Sequence, residues 1–157
     1  MSDKRVKDSE VTLHHLMLPE HANPMGNVHG GVIMKLVDEA GALCAMRHSQ
    51  RLVVTLAIDS MIFHSPVQVG HVVSCQARVN WVGRTSVEVE VQVIAENPLT
   101  GEYSHTNSAH VVYVALDENK QPVEVPRLLL ETNDERRRWA EAELRRARRL
   151  ERAKRND

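Results

Sequence analysis

The sequence predicts an α+β domain, one antiparallel sheet packed on a long buried helix. Three observations predict it. Residues 30–47 place apolar side chains at helical spacing and lack a charged face. Four β-branched or alternating segments follow. The breaks between those segments are too short for crossover connections, so neighbouring strands run antiparallel and the helix supplies the second layer.

In chain order, residues 1–9 are polar and predict a loose terminus. Residues 11–18 read as a short strand ended by Pro19, and the loop over 19–28 contains the turn-forming run Asn23-Pro24-Met25-Gly26-Asn27. The helix opens on Gly30-Gly31. Val32, Ile33, Leu36, Val37, Ala40, Leu43 and Cys44 make one apolar face, while the other carries Met34, Asp38, Gly41, Ala42 and Ala45. A helix that is apolar or small on both faces is buried on both. A lone carboxylate in such a place, Asp38, is costly unless it is paired, hydrogen-bonded or used.

Residues 52–58 are rich in β-branched side chains and read as a strand, which 61–63 continue weakly across a bulge at Asp59-Ser60. Residues 71–82 alternate through Val73, Cys75, Ala77, Val79 and Trp81. Gly83-Arg84-Thr85 is a hairpin-length break. Residues 86–95 set Val87, Val89, Val91 and Val93 against Glu88, Glu90 and Gln92, a turn follows at 97–101, and 103–116 form the last long strand. From 134 to 155 the pattern is helical, with a thin stripe of Trp139, Ala142, Ala147, Leu150 and Ala153. Such a stripe can dock on a surface but cannot form a core. The segment reads as a solvated helix laced with i,i+4 ion pairs, or else as a basic rim for an anionic ligand. The chain thus divides into a domain over 8–133 and a basic helical extension over 134–157.

Composition narrows the function. Aromatic residues are 3% of the 157, so base-stacking surfaces are not expected. The net charge of −1 argues against whole-protein attraction to nucleic acid, although residues 134–157 carry +4 and the remainder −5. Cys44 and Cys75 sit in apolar patterns without metal-ligand spacing and read as reduced core thiols. The charged N-terminus lacks an apolar signal region, and no apolar run approaches the ~20 residues that span a bilayer, so the expected location is cytoplasmic, with no membrane partner.

A few residues can carry chemistry. The Gly30-Gly31 pair admits close approach of another molecule, and a helix N-terminus suits a carbonyl oxygen that becomes negative; equally, the glycines could serve tight packing alone. Asp38 can act as a base toward water or as a structural carboxylate. Asn23 can hold a water or a carbonyl, or simply shape a turn. His29 fits a capping role. Ser65 and Ser86 lack a nucleophile-elbow context, and the nine histidines have no metal-site spacing, so neither a serine hydrolase nor a metal centre is expected.

Asn23-Pro24, Gly26-Asn27-Val28-His29-Gly30-Gly31, Asp38-Glu39-Ala40-Gly41, Asp59 with Phe63-His64-Ser65-Pro66, and Gly83-Arg84-Thr85-Ser86 together resemble the hotdog-fold acyl-CoA thioesterases. The resemblance covers about residues 8 to 135 and is strongest to the bacterial single-hotdog branch; the cytosolic two-domain acyl-CoA hydrolases of animals are similar. It implies a sheet wrapped around the central helix, dimers joined edge to edge into a continuous sheet, and a homohexamer built as a trimer of dimers. It further implies hydrolysis of acyl-CoA to free acid and coenzyme A, with no cofactor beyond the CoA of the substrate. Asp38 of one protomer and Asn23 of the other would share a site, the first as general base or water-orienting group, the second positioning water or thioester. Two-domain relatives tend to keep one of these residues in each half; this chain has both, so a dimer would contain two complete sites. A backbone N–H at Gly30 or Gly31 would polarise the carbonyl, and Arg84, Thr85 and Ser86 would contact phosphate or pantetheine. Arg47, Arg51 and the C-terminal arginines are weaker candidates.

Two other readings fit parts of this pattern. One is a hotdog hydratase or dehydratase on acyl thioesters, although four residues between Pro24 and His29 depart from the hydratase spacing. The other is an acyl-CoA-binding module without turnover, whose basic tail would touch nucleic acid; no helix-turn-helix pattern accompanies that tail.

Overall fold

The computed structural model describes residues 1–156, with Ser60 described by its backbone alone. The helix α1 spans Gly30–Ser49. His29 caps its start, the ring Nδ1 accepting from the Gly31 N–H at 3.4 Å. Gln50 closes it in the left-handed region (φ 57°), donating its backbone N–H to the Met46 carbonyl at 2.7 Å. Five strands follow the order β2-β4-β5-β6-β3 and pair antiparallel throughout: β2 (Val11–Leu16), β3 (Leu52–Phe63), β4 (Val72–Val82), β5 (Ser86–Glu96) and β6 (Tyr103–Leu116). Their inner face, including Val73, Val89, Val91, Val111 and Ala115, closes on Ile33, Val37, Ala40 and Cys44 of α1. Beta-branched residues supply most of this face because a pleated, one-side-buried surface suits them.

Strand β3 forms one edge of the sheet and carries two register shifts, between Thr55 and Ala57 and between Asp59 and Met61. The second meets the expected bulge. Together they set the faces: Thr55 pairs with Tyr113 on the helix side, whereas Asp59 pairs with His110 on the outer side.

Three expectations are corrected. The N-terminus is not loose: β1 (Lys4–Arg5) pairs in parallel with β7 (Leu128–Leu129), and Val6 and Ser9 are buried. Trp81 does not continue the inward period of β4. A register shift between Val79 and Trp81 sets Trp81 opposite Glu88 on the outer face, where its ring lies 5.9 Å from that of Trp139. The third concerns α2 (Asn133–Arg155), capped by the Thr132 hydroxyl, which accepts from the Glu135 N–H at 3.0 Å. It docks on the outer face through only the first part of its apolar stripe, Trp139 and Ala142; Ala147, Leu150 and Ala153 are exposed. Trp139, Ala142 and a row of arginines form the contact. Arg138 is buried and paired to Asp134, Arg145 holds Glu88, and Arg149 holds Asp59 at 2.6 Å. Glu88 and Asp59 thus give a strongly basic helix an acidic seat.

Candidate active site

Asn23 stands in the loop before α1, and its side-chain oxygen is occupied. It accepts from the N–H groups of Met25 (2.9 Å) and Asn27 (3.2 Å), which fixes the turn. The amide Nδ2 therefore points its hydrogens elsewhere, and among the described residues it has no acceptor. Asn23 lines a cleft of about 330 Å³ together with Asn27, Gly30, Ile33, Phe63 and Val67.

Gly30 opens α1 at the same cleft. The carbonyl of His29 is taken by the N–H groups of Val32 and Ile33, the Gly31 N–H reaches the His29 ring, and the Gly30 N–H is without an acceptor among the described residues. A methyl group added at Gly30 would meet nothing nearer than Phe63 Cζ at 3.7 Å, and at Gly31 nothing nearer than His29 Nδ1 at 3.7 Å. Packing within the chain does not require either glycine. The bare backbone instead leaves an accessible donor at the positive end of a helix.

Asp38 lies two turns further along α1, about 12 Å from Gly30 along the axis. It is half-buried beside β3, and its carboxylate is not adrift. Oδ1 accepts from Thr55 Oγ1 at 2.9 Å and from the Tyr113 hydroxyl at 3.0 Å, while that hydroxyl is also 3.0 Å from the Asp38 carbonyl. Oδ2 has no donor among the described residues. Burial first, then the Asp38 carboxylate, push the Tyr113 phenol well above its usual range, so it stays protonated and donates. Gly41, one turn on, makes the approach possible. A side chain there would run into the Tyr113 hydroxyl and come within 3.1 Å of its Cζ.

Asp38 and Asn23 thus stand apart within one chain, beside different parts of β3. Asp38 adjoins Thr55, whereas the Asn23 cleft holds Gly30 and Phe63, two helical turns or about 12 Å back along α1. The Gly83-Arg84-Thr85-Ser86 turn also lies apart from that cleft. Ser86 pairs with Val114, near the Leu52 end of the sheet, and Arg84 is exposed in a separate cleft with Asp3, Glu124 and Arg127. Asp59, part of the motif set, is taken up by Arg149. Burial pushes the thiols of Cys44 and Cys75 up to about 12, which suits core packing and not nucleophilic attack.

The model of the thioesterase superfamily matches residues 25–102. An uncharacterized acyl-CoA thioester hydrolase of Bacillus subtilis is 36% identical over 129 residues, a match covering 82% of this chain and 75% of that protein. The chain belongs to the thioesterase superfamily. A cytosolic acyl coenzyme A thioester hydrolase of Rattus norvegicus is 36% identical over 138 residues; the match covers 87% of this chain but spans only about a third (36%) of that longer relative. Among solved structures, an apo-hexameric acyl-CoA thioesterase superposes with a TM-score of 0.92 at 37% identity, covering 98% of both chains. An acyl-CoA hydrolase of Staphylococcus aureus, solved with butyryl coenzyme A, coenzyme A and coenzyme A disulfide, gives 0.85 at 29% identity, covering 96% of this chain and 94% of that one. The sheet around α1 is the hotdog fold of this superfamily.

Thr55, Tyr113 and Gly41 were not singled out as site residues from the sequence. Thr55 lies in an ordinary β-branched run, and Tyr113 alternates in phase with the core. The signal for Gly41 was its place one turn after the carboxylate, on the same helix face.

Proposed function

We propose that this thioesterase-superfamily chain hydrolyses acyl-CoA thioesters, and that its site is completed across a two-fold dimer. The observation that carries the proposal is Asp38. Its Oδ1 is tied by two neutral donors while Oδ2 is left open, at a half-buried position beside an uncovered strand edge. Oδ2 takes a proton from water as the water oxygen attacks the thioester carbonyl carbon. The Gly30 N–H stabilises the resulting oxyanion, and Asn23 Nδ2 orients the water or the carbonyl. Collapse breaks the carbon–sulfur bond, and the departing thiolate recovers the proton from Asp38, giving acid and CoA. Three side-chain replacements made in the Staphylococcus aureus acyl-CoA hydrolase support the assignment. They change an asparagine, an aspartate and a threonine separated by 15 and 17 residues, the separations of Asn23, Asp38 and Thr55.

The edge supports the dimer. Leu52, Val54, Leu56, Ile58, Ile62 and Phe63 of β3 are all exposed, on an apolar edge strand whose outer side invites strand pairing. A second copy paired antiparallel through β3 makes the contact isologous. That pairing reverses the strand, so the Thr55 end of one protomer approaches the Phe63 end of its partner. Asp38 then approaches the Asn23 cleft that its own chain keeps distant. Three such dimers would give the hexamer, the state that the apo-hexameric relative has. Exposed Arg84, with the partly buried Thr85 and Ser86 at the start of β5, supplies the contacts to CoA.

The experiment is CoA release from a panel of short to long acyl-CoAs, with Asp38→Asn as control. Turnover by the parent and a fall in kcat of about 10²-fold or more in a folded Asp38→Asn dimer are expected. Retained kcat in that variant would overturn the assignment.

A further inference from the structure

We infer that Tyr113 is a positioning residue for Asp38, and that Gly41 is the opening through which it acts. The inference rests on the reading of Asp38 as the base. A carboxylate on a helix turns about two side-chain bonds, and one held by a single donor keeps either oxygen free to exchange places. Here Thr55 and Tyr113 reach the same oxygen from two different strands, at 2.9 and 3.0 Å. The Tyr113 hydroxyl also lies 3.0 Å from the Asp38 backbone carbonyl, so it spans side chain and main chain of one residue and fixes the rotamer against the helix itself. Tyr113 is fully buried on β6, opposite Val87 and Thr55, and has no room to swing away. Gly41 removes the obstacle between the hydroxyl and the helix. Tyr113 does not touch the substrate in this arrangement; it holds Oδ2 in the direction from which water is deprotonated.

Tyr113→Phe removes the hydroxyl and keeps the ring. The expected result is a fall in kcat of about tenfold with KM within about twofold of the parent, because the lost hydrogen bond serves the transition state and not substrate binding. Gly41→Ala, which displaces the hydroxyl instead of deleting it, should give the same kcat–KM split. In a Tyr113→Phe background the methyl still crowds ring carbons at 3.1 and 3.2 Å and should lower the melting temperature further, but it should lower kcat little more, a strongly non-additive cycle in kcat. Melting temperatures of all variants are measured alongside. A kcat unchanged in Tyr113→Phe while Asp38→Asn is inactive overturns the positioning role and leaves the base intact. An Asp38→Asn protein with full kcat overturns the underlying reading instead. Additive effects of the two substitutions on kcat would overturn the proposed link between Gly41 and Tyr113.

Discussion

Arg145 on α2 and Glu88 on β5 form a two-pronged ion pair, Nε to Oε1 at 2.8 Å and Nη2 to Oε2 at 2.9 Å, over a carboxylate whose residue is 2% exposed. The pair is unlike the i,i+4 pairs on the outer side of the same helix, which are largely solvated and contribute little. A buried carboxylate that loses its partner keeps the desolvation cost without the attraction. Arg145→Ala should therefore destabilise the fold by about 3 kcal/mol. Replacing the pair by Glu88→Leu with Arg145→Met should recover most of that loss. Urea denaturation of the three proteins checks both statements.

Truncation after Thr132 removes this partner together with Trp139, Arg149 and the buried Ala142. It uncovers Trp81, Glu88 and Asp59 at once. The expected outcome is a lower denaturation midpoint and increased binding of a hydrophobic dye. A truncated protein with an unchanged midpoint would mean that the acidic seat is solvated easily and the helix is peripheral.

The strands, the long helix and the hairpin breaks were legible because period-two and period-3.6 patterns report burial directly. Trp81 was misplaced because a single inserted residue in β4 reverses the facing of all that follow, and no residue type in that stretch marks the bulge. The docking face of α2 was misread for a different reason. An apolar stripe is the usual sign of a buried face, yet here carboxylates on distant strands draw Arg145 and Arg149 into the contact beside Trp139 and Ala142. Pairing of that kind is set by tertiary contact and has no local signature. At the site, Asn23 and Asp38 were legible through the family resemblance. Tyr113 was not, since a tyrosine in phase with core valines looks like core until its hydroxyl is seen on Asp38.

Acid should lower the stability of the protein in two separable stages. Burial raises the carboxyl of Glu90, but His110 at 3.6 Å and Arg78 at 2.7 Å outweigh it and hold it at about 2, against an ordinary 4.5. A depressed pKa contributes stability above the ordinary value, and that stability is lost as pH falls from about 4.5 toward 2. Allowing for partial solvation, the loss is on the order of 2 kcal/mol. Burial likewise lowers the imidazole of His48 from 6.5, opposed by its 2.8 Å hydrogen bond to the Pro126 carbonyl. Its contribution is present above pH 6.5 and is lost on acidification below that value. Stability measured by urea at a series of pH values should fall first below 6.5, then again below 4.5. Glu90→Gln should flatten the second step and leave the first.

Arg84 is exposed and lies apart from Asp38, which suits binding and not chemistry. Arg84→Ala should raise KM for acyl-CoA severalfold with kcat nearly unchanged, since a phosphate contact stabilises ground and transition states alike. A thioester lacking the nucleotide should be hydrolysed equally by parent and variant. Equal impairment with both substrates would assign Arg84 to the hairpin, not to the ligand.

Asn23 and Asp38 stand apart within one chain, so sharing between protomers has a quantitative signature. Asn23→Ala and Asp38→Ala homodimers should both be nearly inactive, because each contains two sites with one residue missing. A mixed dimer places both substitutions in one site and leaves the other intact. Unfolding and refolding equal amounts of the two variants together puts about half of the dimers in the mixed form if pairing is random in a two-fold assembly. Each mixed dimer restores one of two sites, so about a quarter of the parent activity should return. Were both residues of a site drawn from one chain, every site would remain broken and nothing would return. Mass spectrometry under native conditions counts the mixed dimers, and their presence without recovered activity would defeat the shared site even if each residue alone proved catalytic.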